Sequence, residues 1–379
     1  MLASLESDRT FVADKAAQIL ELENQIAVLE RSIDALRVAQ KPAQDRLDSY
    51  KYPVLTLPNE IISEIFQHHV PTYPEPPDFF EDSSPTKLTQ ICRKWRQIAL
   101  ATPALWRAFN LRCISSEAAS ELPPLWLERS GFLPLSIHGT DADDLFPAFS
   151  ASIPHCARWE HLDLALNHPS NLKAITAAMP LLRTLSLFIN LERLSPPHPF
   201  QYAPLLHSVV FNCQTPCVIL PWSQLTSLTL RCMYAEEIPP ILRQTSNLVH
   251  CTLLVWGEDF FGSGPDYDIT LSCLKTLIFE PSVIDTSVVL FQHLVTPALV
   301  CLELRESFLF SEGLGAAIAP HGGVVGSLEA FISKSGCQLC ELRITKASVP
   351  QEIYRSAFPS IPVINCFKAA VPNSVAVFA

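Results

Sequence analysis

An apolar motif spaced L-x-x-L-x-L recurs eight times between residues 159 and 344, and it constrains the fold more than any other feature of the chain. Successive copies begin 23, 24, 19, 23, 26, 25 and 40 residues apart. Side chains alternate along a strand, so the apolar residues of each copy share one face of a sheet. The sequence therefore predicts one strand per copy and a parallel sheet. The copies read Trp159-Leu162-Leu164, Leu182-Leu185-Leu187, Leu206-Val209-Phe211, Leu225-Leu228-Leu230, Leu248-Cys251-Leu253, Leu274-Leu277-Phe279, Leu299-Leu302-Leu304 and Leu339-Leu342-Ile344.

Periods of about 20–29 residues are typical of leucine-rich repeats, which stack into solenoids. The connectors differ in kind: we predict helices at residues 171–179, 236–244, 285–294 and 327–335, and an irregular segment with four prolines at 195–204. The gap of 40 residues before the last copy holds a degenerate repeat or an insertion. The predicted fold is α/β, with an uneven solenoid that presents a long surface to a partner and is seldom a catalytic scaffold.

Residues 12–37 form a predicted amphipathic helix whose apolar residues step by 3 and 4, which is the a/d seam of a heptad repeat. Isoleucine at a and leucine at d favour a parallel two-stranded coiled coil. Three heptads are clean, because Lys15 occupies the preceding d position, and Pro42 is expected to end the pattern. Two interpretations stay open, a homodimer through 12–37 or a helix that packs on its own protein. The seam residues are Ile19, Leu22, Ile26, Leu29, Ile33 and Leu36.

Residues 55–110 predict a compact helical segment. Pro58 suits the first position of a helix and Glu60 its electropositive first turn. Residues 70–85 hold many prolines and acids, which predicts an exposed loop, and Ser84-Pro85 starts a second helix. Thr102-Pro103 is expected to cap a third, short helix. One face of the second helix is predicted to carry Leu88, Ile91, Cys92, Trp95, Ile98 and Ala99.

These residues resemble a known family. The series Leu57-Pro58-x-Glu60-Ile61, Ile65-Phe66, Ile91-Cys92-Arg93-Lys94-Trp95-Arg96-x-Ile98-Ala99 and Pro103-x-Leu105-Trp106 resembles an F-box, and residues 90–106 look especially like F-box proteins of mushroom-forming fungi. Together with the heptad seam and the repeats, the resemblance predicts three domains. These are a heptad helix at 1–50, an F-box at 51–110 with an insert at 70–85, and a leucine-rich-repeat-like domain at 111–379.

The family resemblance implies the substrate receptor of a Skp–cullin–F-box ubiquitin ligase. The F-box would bind the Skp-type adaptor and the repeats would hold an unknown protein target near the ligase. We favour adaptor contact for the residues where the chain enters the F-box, and core packing for Trp95. The predicted adaptor-binding residues are Leu57, Pro58, Glu60, Ile61, Ile62, Ile65, Trp95, Leu105 and Trp106.

Strand alternation also predicts which residues face outward on the concave side of the sheet. Charged residues are rare there until the last two copies, where two acids and two arginines fall on adjacent strands. Arginine is enriched at binding hot spots, although a solvated face with cross-strand ion pairs is the alternative. The predicted target-binding residues are Arg231, Glu303, Arg305, Glu341 and Arg343.

Composition excludes several classes of function. The chain has 38 acidic and 27 basic residues and a net charge of −11, without a basic run, which argues against nucleic acid as a partner. The charged start and the cysteines at repeat positions favour a reducing compartment, cytosol or nucleus, and no stretch suggests a membrane span. The sequence lacks GxSxG and phosphate-loop motifs, and Cys337-x2-Cys340 is a lone pair. We therefore expect no catalysis, no cofactor and no structural metal.

Two other functions stay open beside the ligase receptor. One is an F-box scaffold or trafficking factor that binds the adaptor but acts outside the ligase. The other is a repeat protein that binds a ligand or assists an enzyme, with an incidental likeness to an F-box. Co-purification with both adaptor and cullin would distinguish the first function from these two.

Overall fold

The computed structural model describes residues 2–49, 53–114, 120–140, 146–167, 175–189, 200–213, 219–256, 268–279, 288–309 and 322–367. The chain divides into two compact units, residues 1–62 and 63–379. The predicted α/β class is confirmed: several helices precede a large parallel sheet, as expected for a stack of repeats.

The first unit is dominated by one helix, α1 (Leu2–Ser49), of 48 residues. It contains the predicted helix at 12–37 and is longer at both ends. The heptad pattern was expected to end at Pro42, and the helix itself continues through that residue. An interior proline lacks one backbone donor and its ring crowds the carbonyl four residues earlier, but Ala39, Gln40, Ala43 and Gln44 around it are good helix formers. A short 3₁₀ turn, Pro53–Thr56, follows, and α2 (Asn59–His69) begins in this unit.

The second unit is built on parallel strands. Among the described residues, eleven strands form one sheet in chain order, while β8 and β10 pair separately. The strands are β1 (Ala108–Asn110), β2 (Leu135–Thr140), β3 (Trp159–Leu166), β4 (Thr184–Ile189), β5 (Ser208–Asn212), β6 (Ser227–Tyr234), β7 (His250–Trp256), β8 (Ile269–Thr270), β9 (Thr276–Phe279), β10 (Leu294–Val295), β11 (Cys301–Arg305), β12 (Glu341–Thr345) and β13 (Val363–Phe367).

The register of the sheet reproduces the spacing of the sequence motif. All eight copies form strands, and the middle residue of each motif pairs with the middle residue of the next. These residues are almost fully buried, so each strand adds one layer to a continuous apolar core. In chain order the ladder runs through Leu162, Leu185, Val209, Leu228, Cys251, Leu277, Leu302 and Leu342.

The sheet has strands that the motif did not predict. At its C-terminal end, Ile364 and Cys366 of β13 continue the ladder beside Leu342 and Ile344. At its N-terminal end, Gly139 of β2 pairs with a motif leucine. A Cβ atom at Gly139 would lie 2.9 Å from the side chain of Leu164 and 3.2 Å from that of Phe149, so there is no room for a leucine there. The motif is lost at this position because neighbouring side chains occupy its space.

The connectors agree in part with the prediction. Helices α7 (Ile238–Leu242), α8 (Val288–Gln292) and α9 (Gly322–Ser335) lie where helices were expected. Residues 175–179 are not helical, which corrects the prediction for the described part of that connector. Residues 195–199 of the connector at 195–204 lie outside the described residues, and residues 200–204 are irregular, as predicted. Since β11 pairs directly with β12, the described part of the 40-residue gap adds no strand to the sheet, which favours an insertion.

The segment between α2 and the sheet holds two helices where one was predicted. They are α3 (Pro85–Ile91) and α4 (Arg93–Leu100), and the extended residue Cys92 ends the first and caps the second. Ser84 caps α3 as predicted, by accepting a hydrogen bond from Thr86 N at 3.3 Å. Thr102 makes no cap bond, and the third predicted helix is a single 3₁₀ turn, Pro103–Leu105.

Three further helices complete the second unit, namely α5 (Leu122–Arg129), α6 (Phe146–Ser150) and α10 (Gln351–Ala357). Among the described residues, no helix combines the length and the apolar character that crossing a membrane requires.

A buried carboxylate ties the end of β11 to α10. Glu306 is only 1% exposed and accepts hydrogen bonds from Tyr354 Oη at 2.7 Å, Val349 N at 3.1 Å and Ser348 N at 2.6 Å, as well as from the Ser348 hydroxyl. Burial alone would raise the pKa of Glu306, but these hydrogen bonds outweigh it and hold the pKa below its usual value of 4.5. The charged form is therefore the one that the fold stabilises.

We expect Glu306→Gln to lower the free energy of unfolding by about 2–4 kcal/mol at neutral pH, because charge-assisted bonds to a buried group are lost. The pKa of Glu306 is lower in the folded state, so its contribution is complete above the usual value of 4.5 and disappears as pH falls through the folded pKa. Urea unfolding of both proteins at several pH values measures this difference.

Glu303→Gln serves as the control, since Glu303 forms an accessible ion pair whose loss changes stability by less than about 1 kcal/mol. The prediction would be contradicted if the two variants lost equal stability. It would also be contradicted if the stability lost in Glu306→Gln were as large in acid as at neutral pH.

Candidate functional site

Helix α2 separates its apolar residues onto two faces. Ile62 and Phe66 are fully buried, whereas Ile61 and Ile65 are 49% and 44% exposed. Residues four positions apart lie on the same side of a helix, so the two exposed isoleucines form one apolar strip. The expectation that Ile61 and Ile62 point in different directions is confirmed. Such a strip is suited to contact with a partner.

The predicted adaptor-binding residues fall into accessible and inaccessible groups. Pro58 and Glu60 are exposed, as are Ile61 and Ile65, and Leu57 is half-buried. Ile62, Leu105 and Trp106 are buried, which corrects their placement on a contact surface. The indole of Trp106 donates to Ala99 O at 2.8 Å, so its polar edge is used within the fold.

Trp95 belongs mainly to the core of the segment. Its ring lies 4.9 Å from that of Phe66, and the residue is partly buried. The preference for core packing at Trp95 therefore agrees with its position. Two exposed apolar residues nearby in sequence, Ile91 and Leu100, were not predicted as contacts. The break at Cys92 turns Ile91 away from the face that a continuous helix would have shared with Trp95.

The insert at 70–85 packs against the sheet and is not an exposed loop, contrary to the prediction. Tyr73 donates its hydroxyl to Glu160 Oε2 at 2.8 Å, and its ring lies edge-on to His161 at 5.4 Å. The guanidinium of Arg107 lies 3.6 Å from the centre of the same ring. The pKa of Tyr73 is raised by burial and by its bond to Glu160. The insert is therefore anchored on β3 and on the residue before β1.

A second anchor of the insert is aromatic. Phe79 is fully buried, with its ring 4.7 Å from Trp126 and 6.4 Å from Phe109. Next to it, Asp78 accepts a hydrogen bond from Asn110 Nδ2 at 2.8 Å. Because the partners of Phe79 come from β1 and α5, the insert fills a gap between these elements. Composition could not show this, since prolines and acids dominate the segment.

A groove of about 240 Å³ lies between the insert and the outward face of β2–β5. It presents hydroxyl, imidazole and carboxylate groups. Burial lowers the pKa of His138 and of His161, so both rings are neutral near pH 7. The groove is therefore a polar recess whose lining includes no cationic side chain. Its lining residues are Pro74, Glu75, Ser136, His138, His161, Leu162, Asp163, Thr184, Leu185, Ser186, Ser208 and Val210.

The carboxylates beside the groove differ in their partners. Asp163 is held by Arg112 at 2.9 Å, and Glu160 by Arg183 at 3.0 Å and by the tyrosine of the insert. The side chain of Glu75 accepts no hydrogen bond from the described residues. The groove thus combines ion-paired walls with one accessible carboxylate at its edge.

The charged patch on the last strands is an ion-pair cluster. Arg343 donates to Glu341 at 2.8 Å and to Glu303 at 3.3 Å, and the bonds to these carboxylates raise its pKa. Arg231 is exposed on β6. Arg305 is only 6% exposed, so its predicted place on the surface is wrong. The strand ends at Arg305 and continues into a buried 3₁₀ turn, so alternation no longer applies there.

Two pairs of residues with side chains of the metal-binding type, Cys337 with Cys340 and Glu64 with His68, lie close in sequence. Cys337 is buried and Cys340 is exposed, and Glu64 and His68 form an exposed pair at 3.5 Å. Within the part of the chain that the structure describes, no group of three or more histidine, cysteine, aspartate or glutamate side chains could hold a metal ion.

The comparisons with known proteins identify one domain. Residues 54–112 match the family model described as F-box-like, a range that contains α2, α3, α4 and β1. A search among curated proteins found no match. The chain therefore carries an F-box-like domain, and this finding supports an F-box protein.

We expect Phe79→Ala to reduce the free energy of unfolding by about 3–5 kcal/mol, because a fully buried ring is lost from the aromatic cluster. Its neighbour Phe80 is exposed, so Phe80→Ala is a matched control with a change within about 0.5 kcal/mol. Urea unfolding followed by the fluorescence of the six tryptophans, Trp126 among them, measures the change. Equal effects of the two substitutions would show that the insert is not anchored through Phe79.

Proposed function

We propose that this protein is the substrate-recognition subunit of a Skp–cullin–F-box ubiquitin ligase. The observation that carries the proposal is the F-box-like match at 54–112, followed by a parallel sheet with a long outward face. At the family level an F-box domain suggests such an adaptor role. The leucine-rich-repeat character, the fungal type and the location in cytosol or nucleus are parts of the same proposal.

The proposed adaptor contact uses the accessible strip of α2. Ile61 and Ile65 supply apolar area, and Leu57, Pro58 and Glu60 form its start. The two isoleucine side chains lie side by side on one face of the helix, and contiguous exposed apolar side chains are suited to a protein interface. Ile62, Leu105 and Trp106 are buried and are not part of the proposed contact.

The receptor contributes proximity and does no bond chemistry. A target held on the sheet is kept at a high effective concentration near the ubiquitin-loaded enzyme that the cullin brings. F-box proteins are generally adaptors, which agrees with the lack of nucleophile and phosphate-loop motifs in the sequence. We propose that no cofactor takes part.

The target is proposed to dock on the outward face of the sheet. Two regions of that face suit a protein partner: the groove beside the insert, and the patch of Glu303, Glu341 and Arg343 with Arg231 on an earlier strand. In the patch the arginine could exchange an internal carboxylate for one of the target, a contact that becomes strong when water is excluded.

An F-box scaffold acting outside the ligase remains the alternative. It would use the same strip to bind the adaptor, so adaptor binding alone does not distinguish the two functions. Co-purification of the cullin with the full chain supports the ligase receptor, and adaptor without cullin supports the scaffold.

We expect the double variant Ile61→Ala with Ile65→Ala to weaken adaptor binding at least tenfold, since central apolar contacts are worth about 1–3 kcal/mol each. Phe132→Ala is the control, because Phe132 is the most exposed large apolar side chain outside this strip. Titration of the purified adaptor against each protein measures the dissociation constant. Unchanged binding by the double variant would rule out α2 as the contact.

A charge reversal tests the proposed target site. Arg343→Glu leaves three acids together, so we expect target proteins to be depleted when the receptor is purified from cells treated with a proteasome inhibitor. Arg355→Glu, an equal change of charge on α10, is the control. Adaptor recovery should be the same in all samples.

The groove is the second arm of this experiment. Ser208→Phe places a ring in the groove without altering charge. Loss of targets with Ser208→Phe but not with Arg343→Glu would move the docking site from the patch to the groove. Full recovery with both variants would contradict docking on this face.

A further inference from the structure

Helix α1 carries an apolar stripe that solvent can reach along its whole length. The six seam residues, from Ile19 to Leu36, are between 47% and 67% exposed. At a rise of 1.5 Å per residue the 48-residue helix is about 72 Å long. Helices of this kind owe their stability mainly to packing of an apolar face. The stripe therefore requires a partner.

The identity of the seam residues selects the kind of partner. Position a is isoleucine three times, at 19, 26 and 33, and position d is leucine three times, at 22, 29 and 36. A β-branched residue at a and leucine at d pack well in a parallel two-stranded coil and poorly in trimers and tetramers. We propose that α1 forms a parallel, in-register coiled coil with α1 of a second copy of this chain.

The flanking positions agree with a pair of identical helices. In a parallel coil each g residue meets the e residue of the following heptad on the other copy. No such pair brings like charges together, because all three g residues are uncharged. The pairs are Gln18 with Glu23, Gln25 with Glu30 and Ser32 with Arg37.

Polar bonds within each helix lie beside the seam and leave it free. Gln25 donates to Glu21 at 3.2 Å, and Arg37 lies 3.6 Å from Asp34. The clean seam ends where Lys15 takes a d position and where Gln40 takes the next a position. The coil accordingly spans residues 19–36, with solvated helix on either side.

A dimer changes what the proposed receptor can do. Two F-box-like domains and two sheets would belong to one assembly, so a target with two recognition segments would be bound with avidity. This consequence rests on the proposed function. The dimer itself is inferred from α1 alone, so it can be tested independently of the proposed function.

The chain contains a matched pair of leucines for the test. Leu22 lies at a d position and is 57% exposed, and Leu20 lies at a b position and is 61% exposed. Sedimentation equilibrium of the full chain should give twice the monomer mass for the parent protein and for Leu20→Asn. Leu22→Asn should raise the dimer dissociation constant at least tenfold.

Several outcomes would overturn the proposal. A parent protein that stays monomeric at tens of micromolar would do so, as would a trimer, or equal effects of the two asparagine substitutions. A stripe that binds a different helix would appear as a monomeric parent chain. Adaptor titration of Leu22→Asn runs in parallel, and unchanged adaptor affinity separates failure of the dimer from failure of the proposed function.

Disulfide cross-linking tests the orientation. Ile26→Cys places a thiol at the central a layer, where two parallel, in-register chains bring the Cα atoms within the reach of about 7 Å that a disulfide needs. Ala27→Cys, one residue away and off the seam, is the control, and the parent protein corrects for its own thiols, of which Cys273 and Cys340 are the exposed ones among the cysteines that the structure describes. Rapid covalent dimer formation by Ile26→Cys alone is expected. Equal rates for both variants, or none for Ile26→Cys in a chain that dimerises, would overturn the parallel register.

Discussion

The fold depends on parallel strands that hydrogen-bond in a register set by one buried residue per layer. From Leu162 to Leu342 the middle residue of each motif faces the middle residue of the next, so every added strand extends both the backbone ladder and the apolar core. A shift by one residue would turn all these side chains toward solvent. Register and burial therefore enforce each other, and connectors of very different length can be accommodated between strands.

The outward face of the same strands is what remains for binding, and its two ends differ. Near the F-box-like domain, the insert and the strands enclose a recess with neutral imidazoles and one accessible carboxylate. At the other end, Arg343 is already shared by two glutamates. An arginine with internal partners must exchange them to bind a target, and in the recess Asp163, His161 and Ser136 are likewise bonded within the fold, so that Glu75 is its accessible charged group. As a docking site for the target, the first region is favoured by its recessed shape and the second by its charged side chains.

The composition of the insert predicts an exposed loop, but the insert packs against the rest of its unit. Tyr73 is held between a guanidinium and an imidazole while its hydroxyl binds Glu160, and Phe79 fills an aromatic cluster. Prolines reduce the entropy that the segment loses on ordering. The insert and the first strands are consequently one packed structure, in which the insert of the F-box-like domain contacts the sheet directly.

The sequence by itself determined the α/β class, eight of the strands with their register, most of the connector helices and the two faces of α2, because these follow from the spacing of apolar residues along the chain. It missed β2 and β13, the break at Cys92, the burial of Arg305 and the packing of the insert. The loss of the motif at Gly139 and the packing of the insert depend on residues elsewhere in the chain: Leu164 and Phe149 leave no space at Gly139, and Trp126 packs against Phe79. The break at Cys92 and the burial of Arg305 follow from a helix cap and a 3₁₀ turn that the spacing of apolar residues does not reveal. Local spacing records which side of a strand is apolar, and only the assembled structure decides which distant side chains fill the remaining space.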